Sequence, residues 1–178
     1  MKGELRRTID DLAQLTLKIL DIQPPIRDME SVVGKLHGRI EEVDTISEFS
    51  DGYITKVTGD KSYKFEIHVP KNQDKQRKNF TIAHEIGHLV LDMHFFETEK
   101  WKNATGTYHR SGNSLNEYIA NEFAAAFLMP EEEYYQQLRE NMQEDGRVCV
   151  QKIADYFNVS VNAVQKRGYE LGLFSQTI

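Results

Sequence analysis

Residues 80–91 read Phe80-Thr81-Ile82-Ala83-His84-Glu85-Ile86-Gly87-His88-Leu89-Val90-Leu91, and the rest of the chain is best approached from them. In an α-helix, side chains four apart lie on one face about 6 Å apart along the axis. Both imidazoles of His84 and His88 can then reach one metal ion through bonds of roughly 2.0–2.1 Å. Glu85 stands beside that face, one position off the ligand pair, where it touches the metal's water rather than the metal. The bland alternative is two partly exposed histidines on a helix. Gly87 weighs against it, because a helix-interior glycine costs about 1 kcal/mol unless another element must come close.

A zinc site of this kind needs a third protein ligand, and two candidates lie downstream. His94 would complete a His-x3-His-x5-His spacing, but Leu91 occupies the position where a glycine would have to break the helix and turn the chain back. The other is Glu117, in Glu117-Tyr118-Ile119-Ala120-Asn121-Glu122-Phe123-Ala124-Ala125. Its modest reading is a capping box with Ser114. Ala120, Ala124 and Ala125 would let this second helix sit close to the first, which favours Glu117 as the carboxylate ligand. Asn121, one turn on, can accept from the far nitrogen of a bound imidazole. Glu122 faces away.

Around these helices the pattern is mixed. Leu5, Ile9, Leu12, Leu15, Ile19 and Leu20 mark an amphipathic helix before Pro24-Pro25, and Asp28 can cap a short second helix that Gly38 ends in a left-handed conformation. Residues 53–57 and 63–69 read as strands joined by a turn at Gly59-Asp60, with 39–46 as a third. A long helix covers 72–91, residues 100–113 read as a loop lining a site, 114–129 return to helix, and Pro130 begins another. The fold class expected is α+β, with a small antiparallel sheet.

The chain has 178 residues, a net charge of −6 and a pI near 5.5, which argues against nucleic acid as the main partner. Hydrophobic residues at 39% and charged ones at 28% are ordinary globular usage. No apolar run approaches the roughly 20 residues of a membrane span, and the N-terminal segment has no apolar signal core, so a cytoplasmic protein is expected. The single cysteine, Cys149, excludes an intrachain disulfide and a cysteine-rich zinc site.

Phe80 to His88, followed by Glu117-x-x-Ala120-Asn121-x-Phe123-Ala124-Ala125 and then Leu128-Met129-Pro130, resembles the ImmA/IrrE family of metallo-endopeptidases over roughly residues 26–135. The resemblance implies a zincin-like domain with a zinc ion (Zn2+) on His84, His88 and Glu117, and regulated proteolysis of a repressor encoded nearby. Family members often carry Leu-His where this chain has Leu91-Asp92, a departure outside the ligand set and expected to matter little. Two neutral imidazoles and one carboxylate leave an open position for a water whose pKa falls toward 7. Glu85 is placed to take its proton and hand it to the leaving amine. A second oxyanion donor is expected from Tyr108, His109 or Arg110, with His109 preferred.

Residues 1–146 are read as the peptidase domain and 147–178 as a small helix-turn-helix-like tail. There Asn158-Val159-Ser160 forms the turn, Ser160 caps the second helix, and Asn162, Gln165, Lys166 and Arg167 could form a polar face toward DNA. The tail holds four basic and two acidic residues, a net of +2 against −8 elsewhere, which supplies little counterion release. Packing on the body or docking a protein partner is the preferred role. The protein substrate expected is a helix-turn-helix repressor. The rival function is a DNA-binding or antitoxin-like regulatory protein with a structural or vestigial metal site.

Overall fold

The computed structural model describes residues 2–44, 51–59, 62–104, 107–108 and 114–174. Helix α1 (Lys2–Ile19) and α2 (Met29–Lys35) lead into strand β1 (Gly38–Val43), followed by β2 (Tyr53–Lys56) and β3 (Phe65–Pro70). Then come α3 (Lys75–Leu91), the short α4 (Thr98–Asn103), the two-residue strand β4 (Thr107–Tyr108) and α5 (Ser114–Leu128). Helices α6 (Glu131–Glu140), α7 (Val150–Phe157) and α8 (Val161–Glu170) complete the described chain. The fold is α+β. No helix among the described residues is long and apolar enough to cross a membrane.

The sheet order is β1-β3-β2-β4. Strands β2 and β3 form the expected antiparallel pair, with Ile54 opposite Ile67. The sheet as a whole is mixed rather than antiparallel: β3 inserts between β1 and β2, so β1 and β3 run the same way and pair in parallel, Gly38 opposite Phe65. Phe65, Ile67 and Val69 on alternate positions of β3 are fully buried, as a period of two requires for one covered face. Ile82, Ile86 and Leu89 of α3 and Phe123 and Phe127 of α5 belong to the same core.

Local signals account for most element ends. The Asp28 carboxylate accepts from the backbone N–H groups of Glu30 and Ser31, and Asp74 Oδ1 accepts from Arg77 N at 3.0 Å, capping α2 and α3. After α2 the left-handed residue is His37, at φ +59, rather than Gly38. Gly38 serves packing instead: a Cβ there would lie 2.3 Å from the Phe65 ring. Within the expected loop 100–113, residues 100–103 belong to α4 and 107–108 pair with β2. Lys56 Nζ donates to the carbonyls of Trp101 at 2.6 Å and Lys102 at 2.9 Å, securing the C-terminal end of α4.

The tail forms helix, turn and helix as its sequence suggests. Asn158 adopts the left-handed conformation at φ +55, and Ser160 Oγ accepts from Ala163 N at 3.2 Å. It packs on the body at several points. Asn79 donates to the Asn158 carbonyl at 3.3 Å, and the Tyr134 hydroxyl donates to the Val164 carbonyl at 2.6 Å. Arg167 is not on a DNA-facing surface: it is fully buried, donating to the Met129 carbonyl at 3.2 Å and pairing with Asp10 of α1 at 3.0 Å.

Candidate metal centre

Almost every residue of α3 from Asn79 to Val90 is buried, so its polar side chains need partners inside the protein. His84, Glu85 and His88 are each 1% exposed. The imidazoles meet edge to face, with their Nε2 atoms 3.0 Å apart. Glu117 of α5 closes the triangle, Oε2 at 3.3 Å from His84 Nε2 and Oε1 at 3.4 Å from His88 Nε2.

The close approach of the two helices has a visible cause. A Cβ on Gly87 would lie 3.3 Å from the Cα and carbonyl oxygen of Ala120 and from Phe123 Cδ1. The glycine of one helix and the alanine of the other thus let the backbones come near enough for Glu117 to reach both histidines. This is the close approach that Gly87 and Ala120 suggested from sequence.

The far ring nitrogens fix the near ones. Asp92 Oδ2 lies 2.6 Å from His88 Nδ1 and accepts from it, since a carboxylate can only accept. Asn121, with its amide oxygen turned to the ring, accepts from His84 Nδ1 at 3.0 Å. Both Nε2 atoms therefore present lone pairs to each other and to a carboxylate. Three electron-pair donors converging in a buried site repel one another unless a cation lies between them. A tetrahedral ion with bonds of about 2.0–2.1 Å separates its ligand atoms by about 3.3 Å, against observed separations of 3.0, 3.3 and 3.4 Å. The donor set fits a divalent metal, and His84, His88 and Glu117 form a group that could hold one.

His94 is not part of this group. At φ +52, just past the end of α3, it turns outward, is 42% exposed at its side chain, and pairs with Glu97 at 2.9 Å. Glu122 is fully buried on the α8 side of α5. Burial first, and the neighbouring Glu170 carboxyl second, push its pKa up to about 7, while Lys166 and Arg167 pull the other way. His109 and Arg110 lie outside the described residues, as does the side chain of Tyr108.

Two contributors were missed from sequence. Asp92 looked like a departure of no consequence, yet it holds His88, and Asn116 Nδ2 in turn donates to Asp92 Oδ1 at 2.9 Å. Its signal was there: an acceptor four residues after His88 falls on the same helix face. Gly52, just before β2, is the other. A Cβ there would come within 2.6 Å of Thr81 Cγ2 and 3.1 Å of the His68 carbonyl, so the missing side chain lets this backbone lie against α3, in van der Waals reach of Glu85. No sequence pattern announced that contact.

An α+β fold in which one helix supplies a His-x3-His pair and a second, closely packed helix the carboxylate is of the metallopeptidase type. Residues 42–169 match the Peptidase_M78 family, described as the IrrE N-terminal-like domain, and the chain belongs to that family. The resemblance drawn from residues 80–88 and 117–130 is thereby borne out. Among solved structures, the chain is similar to a Mycobacterium tuberculosis transcriptional regulator, at 14% identity and a TM-score of 0.60. The alignment covers 93% of this chain and 50% of that one, so this chain spans about half the length of that protein. No curated protein matches the sequence.

Proposed function

We propose that this protein is a zinc-dependent endopeptidase that cuts a partner regulatory protein, a helix-turn-helix repressor encoded nearby, and that it works in the cytoplasm. The observation that supports it most is the convergence of His84, His88 and Glu117, with Asn121 and Asp92 holding both imidazoles in the metal-binding tautomer.

A zinc ion held by His84, His88 and Glu117 would supply a Lewis acid for the scissile carbonyl and a more acidic water. The remaining work falls to the chain. With their Nδ1 atoms directed to Asn121 and Asp92, His84 and His88 turn their Nε2 atoms toward Glu117 and the ion. Glu85, buried beside the pair, takes the proton from the attacking water and delivers it to the leaving amine. Tyr108, His109 and Arg110 remain the proposed sources of a second oxyanion donor, His109 first among them.

The rival is a regulatory, DNA-binding protein with a structural metal. The Mycobacterium tuberculosis structure is named a transcriptional regulator, and the helix-turn-helix geometry of α7 and α8 agrees with such a role. Burial of Arg167 removes one of the few cations that role would need.

The test is purification with metal analysis, followed by incubation with the neighbouring repressor. One zinc per chain and repressor fragments that disappear with chelator support the proposal. Metal without fragments, together with salt-sensitive duplex binding, favours the rival.

A further inference from the structure

Helix α1 has two apolar faces, and the body covers one of them. Ile9, Ala13, Leu17 and, just past the end of the helix, Leu20 are buried. Leu5, Leu15 and Ile19 are left 38%, 50% and 55% exposed. With half-buried Leu12 and exposed Thr8 they occupy positions 5, 8, 12, 15 and 19, and that alternation of three and four is the seam spacing of a coiled coil. The seam runs roughly 21 Å and lies roughly 120° round the helix from the buried stripe, so it points away from the body and leaves room for a second helix alongside. Single exposed aliphatics are ordinary surface, whereas a row of them on one helix marks a contact. Thr8 suits the row, because its hydroxyl already donates to the Glu4 carbonyl at 3.1 Å.

What the seam fits is a second copy of itself. Antiparallel packing about a two-fold axis between Leu12 and Leu15 sets Leu12 of each copy against Leu15 of the other, with Ile19 against Thr8 at both ends of that four-leucine cluster. The flanking charges then match: Asp11 of one copy faces Lys18 of the other, twice over by symmetry. Both are exposed, and among the described residues neither forms an ion pair within the chain. Lys18 shares a surface groove with Asp21, Glu132 and Glu133, of which Glu133 is engaged by the Tyr156 hydroxyl. Sliding the copies by one heptad sets Asp11 against Asp11 and leaves Ile19 unmatched. A parallel pair offers no match either, because Glu4 and Asp11 would then face Ile9 and Thr16, both buried in the body. It would also set two helix dipoles side by side.

We propose that α1 is a self-association surface, joining two copies of this chain through the antiparallel seam of Leu5, Leu12, Leu15 and Ile19 into a weak, two-fold symmetric dimer. One helix face per copy falls short of the roughly 800 Å² per partner of a stable interface, so dissociation at about 10–100 μM is expected. No metal ligand and neither residue that holds the imidazoles lies on α1, so association does not depend on the peptidase reading.

The test is sedimentation equilibrium of the full-length protein over about 5–500 μM, with reductant present so that Cys149 cannot join copies. A reversible monomer–dimer equilibrium is expected. Leu15→Glu places a carboxylate in the leucine cluster twice and should weaken the dimer by at least about thirtyfold. Leu15 is half exposed, so the melting temperature of the dilute monomer should stay within about two degrees. Asp11→Lys and Lys18→Asp should each weaken the dimer about three- to tenfold, and the double variant should return to within about twofold of the wild type. That recovery reads the register, since altered folding does not produce it. A wild type still monomeric at about 500 μM overturns the proposal. So does a dimer indifferent to Leu15→Glu, or one whose charge variants do not recover when combined. A monomer whose complex with the neighbouring repressor is lost in Leu15→Glu gives the seam to that partner and overturns it as well.

Discussion

Helix α5 carries Glu117 and Glu122 five residues apart, on sides that treat a carboxylate in opposite ways. Toward α3, Glu117 meets two imidazoles in a seam of glycine and alanine, where Asn116, Asn121 and Asp92 complete the hydrogen bonds. Toward α8, Glu122 is fully buried against Glu170 and held well above the usual carboxylate range. The first side gathers electron pairs that only a cation reconciles. On the second, a proton does that work, against the pull of Lys166 and Arg167. Same residue type and same helix, yet the partner helix decides whether the acid is a ligand or a neutral core group.

The sharpest way to break this contrast is Glu117→Ala. Losing one of three ligands should weaken metal binding by more than about a hundredfold, beyond the range for a residue that merely orients a ligand. His94→Ala should leave metal content near one per chain. Metal analysis after dialysis against a graded chelator reads both, and metal lost with His94 but kept without Glu117 would reverse the assignment.

Asp92→Ala tests the next layer. The His88 ring loses the acceptor that fixes its tautomer, and metal affinity should fall about 10- to 100-fold with little change in melting temperature. Unchanged affinity would return Asp92 to the inconsequential role that its sequence position suggested.

The seam itself answers to glycine. In Gly87→Ala the new methyl presses on the Ala120 backbone, which cannot yield as a side-chain tip would, and about 1–3 kcal/mol of overpacking outweighs the roughly 1 kcal/mol gain in helix propensity. Gly34→Ala in α2 meets nothing within 4 Å and should stabilise by about 0.5–1 kcal/mol. Denaturant titration of the two variants should therefore move in opposite directions.

Glu122→Gln sharpens the other side. Because the folded-state pKa of Glu122 is raised from its ordinary value to about 7, its contribution is fully favourable below about pH 4.5 and is lost as pH rises toward 7. The amide removes that loss. Its melting temperature should exceed the wild type's by a few degrees above pH 7 and should fall less between pH 4.5 and 7.

What could be read from sequence follows from how local each determinant is. The α3 motif, the Asp28 and Ser160 caps and the Asn158 turn are fixed within a few residues, and the structure has them where spacing put them. Glu117 was legible because Gly87 and the alanines of α5 announced a close pair of helices. The parallel pairing of β1 with β3 was not, since it depends on which edge of a hairpin the earlier strand joins. Burial of Arg167 was equally hidden, because its partner Asp10 lies 157 positions away, on α1. Asp92 was within reach, since an acceptor four residues after His88 shares its helix face.

Hydrolysis at this centre with Glu85 as its base stands or falls with the Glu85→Gln variant. The variant should keep one zinc per chain and the wild-type melting temperature, and still bind the neighbouring repressor. Cleavage should fall by about 10⁴-fold or more, because the lost group both takes and returns the proton. Undiminished cleavage by the zinc-loaded variant would contradict the account, and loss of zinc from it would show that Glu85 belongs among the ligands.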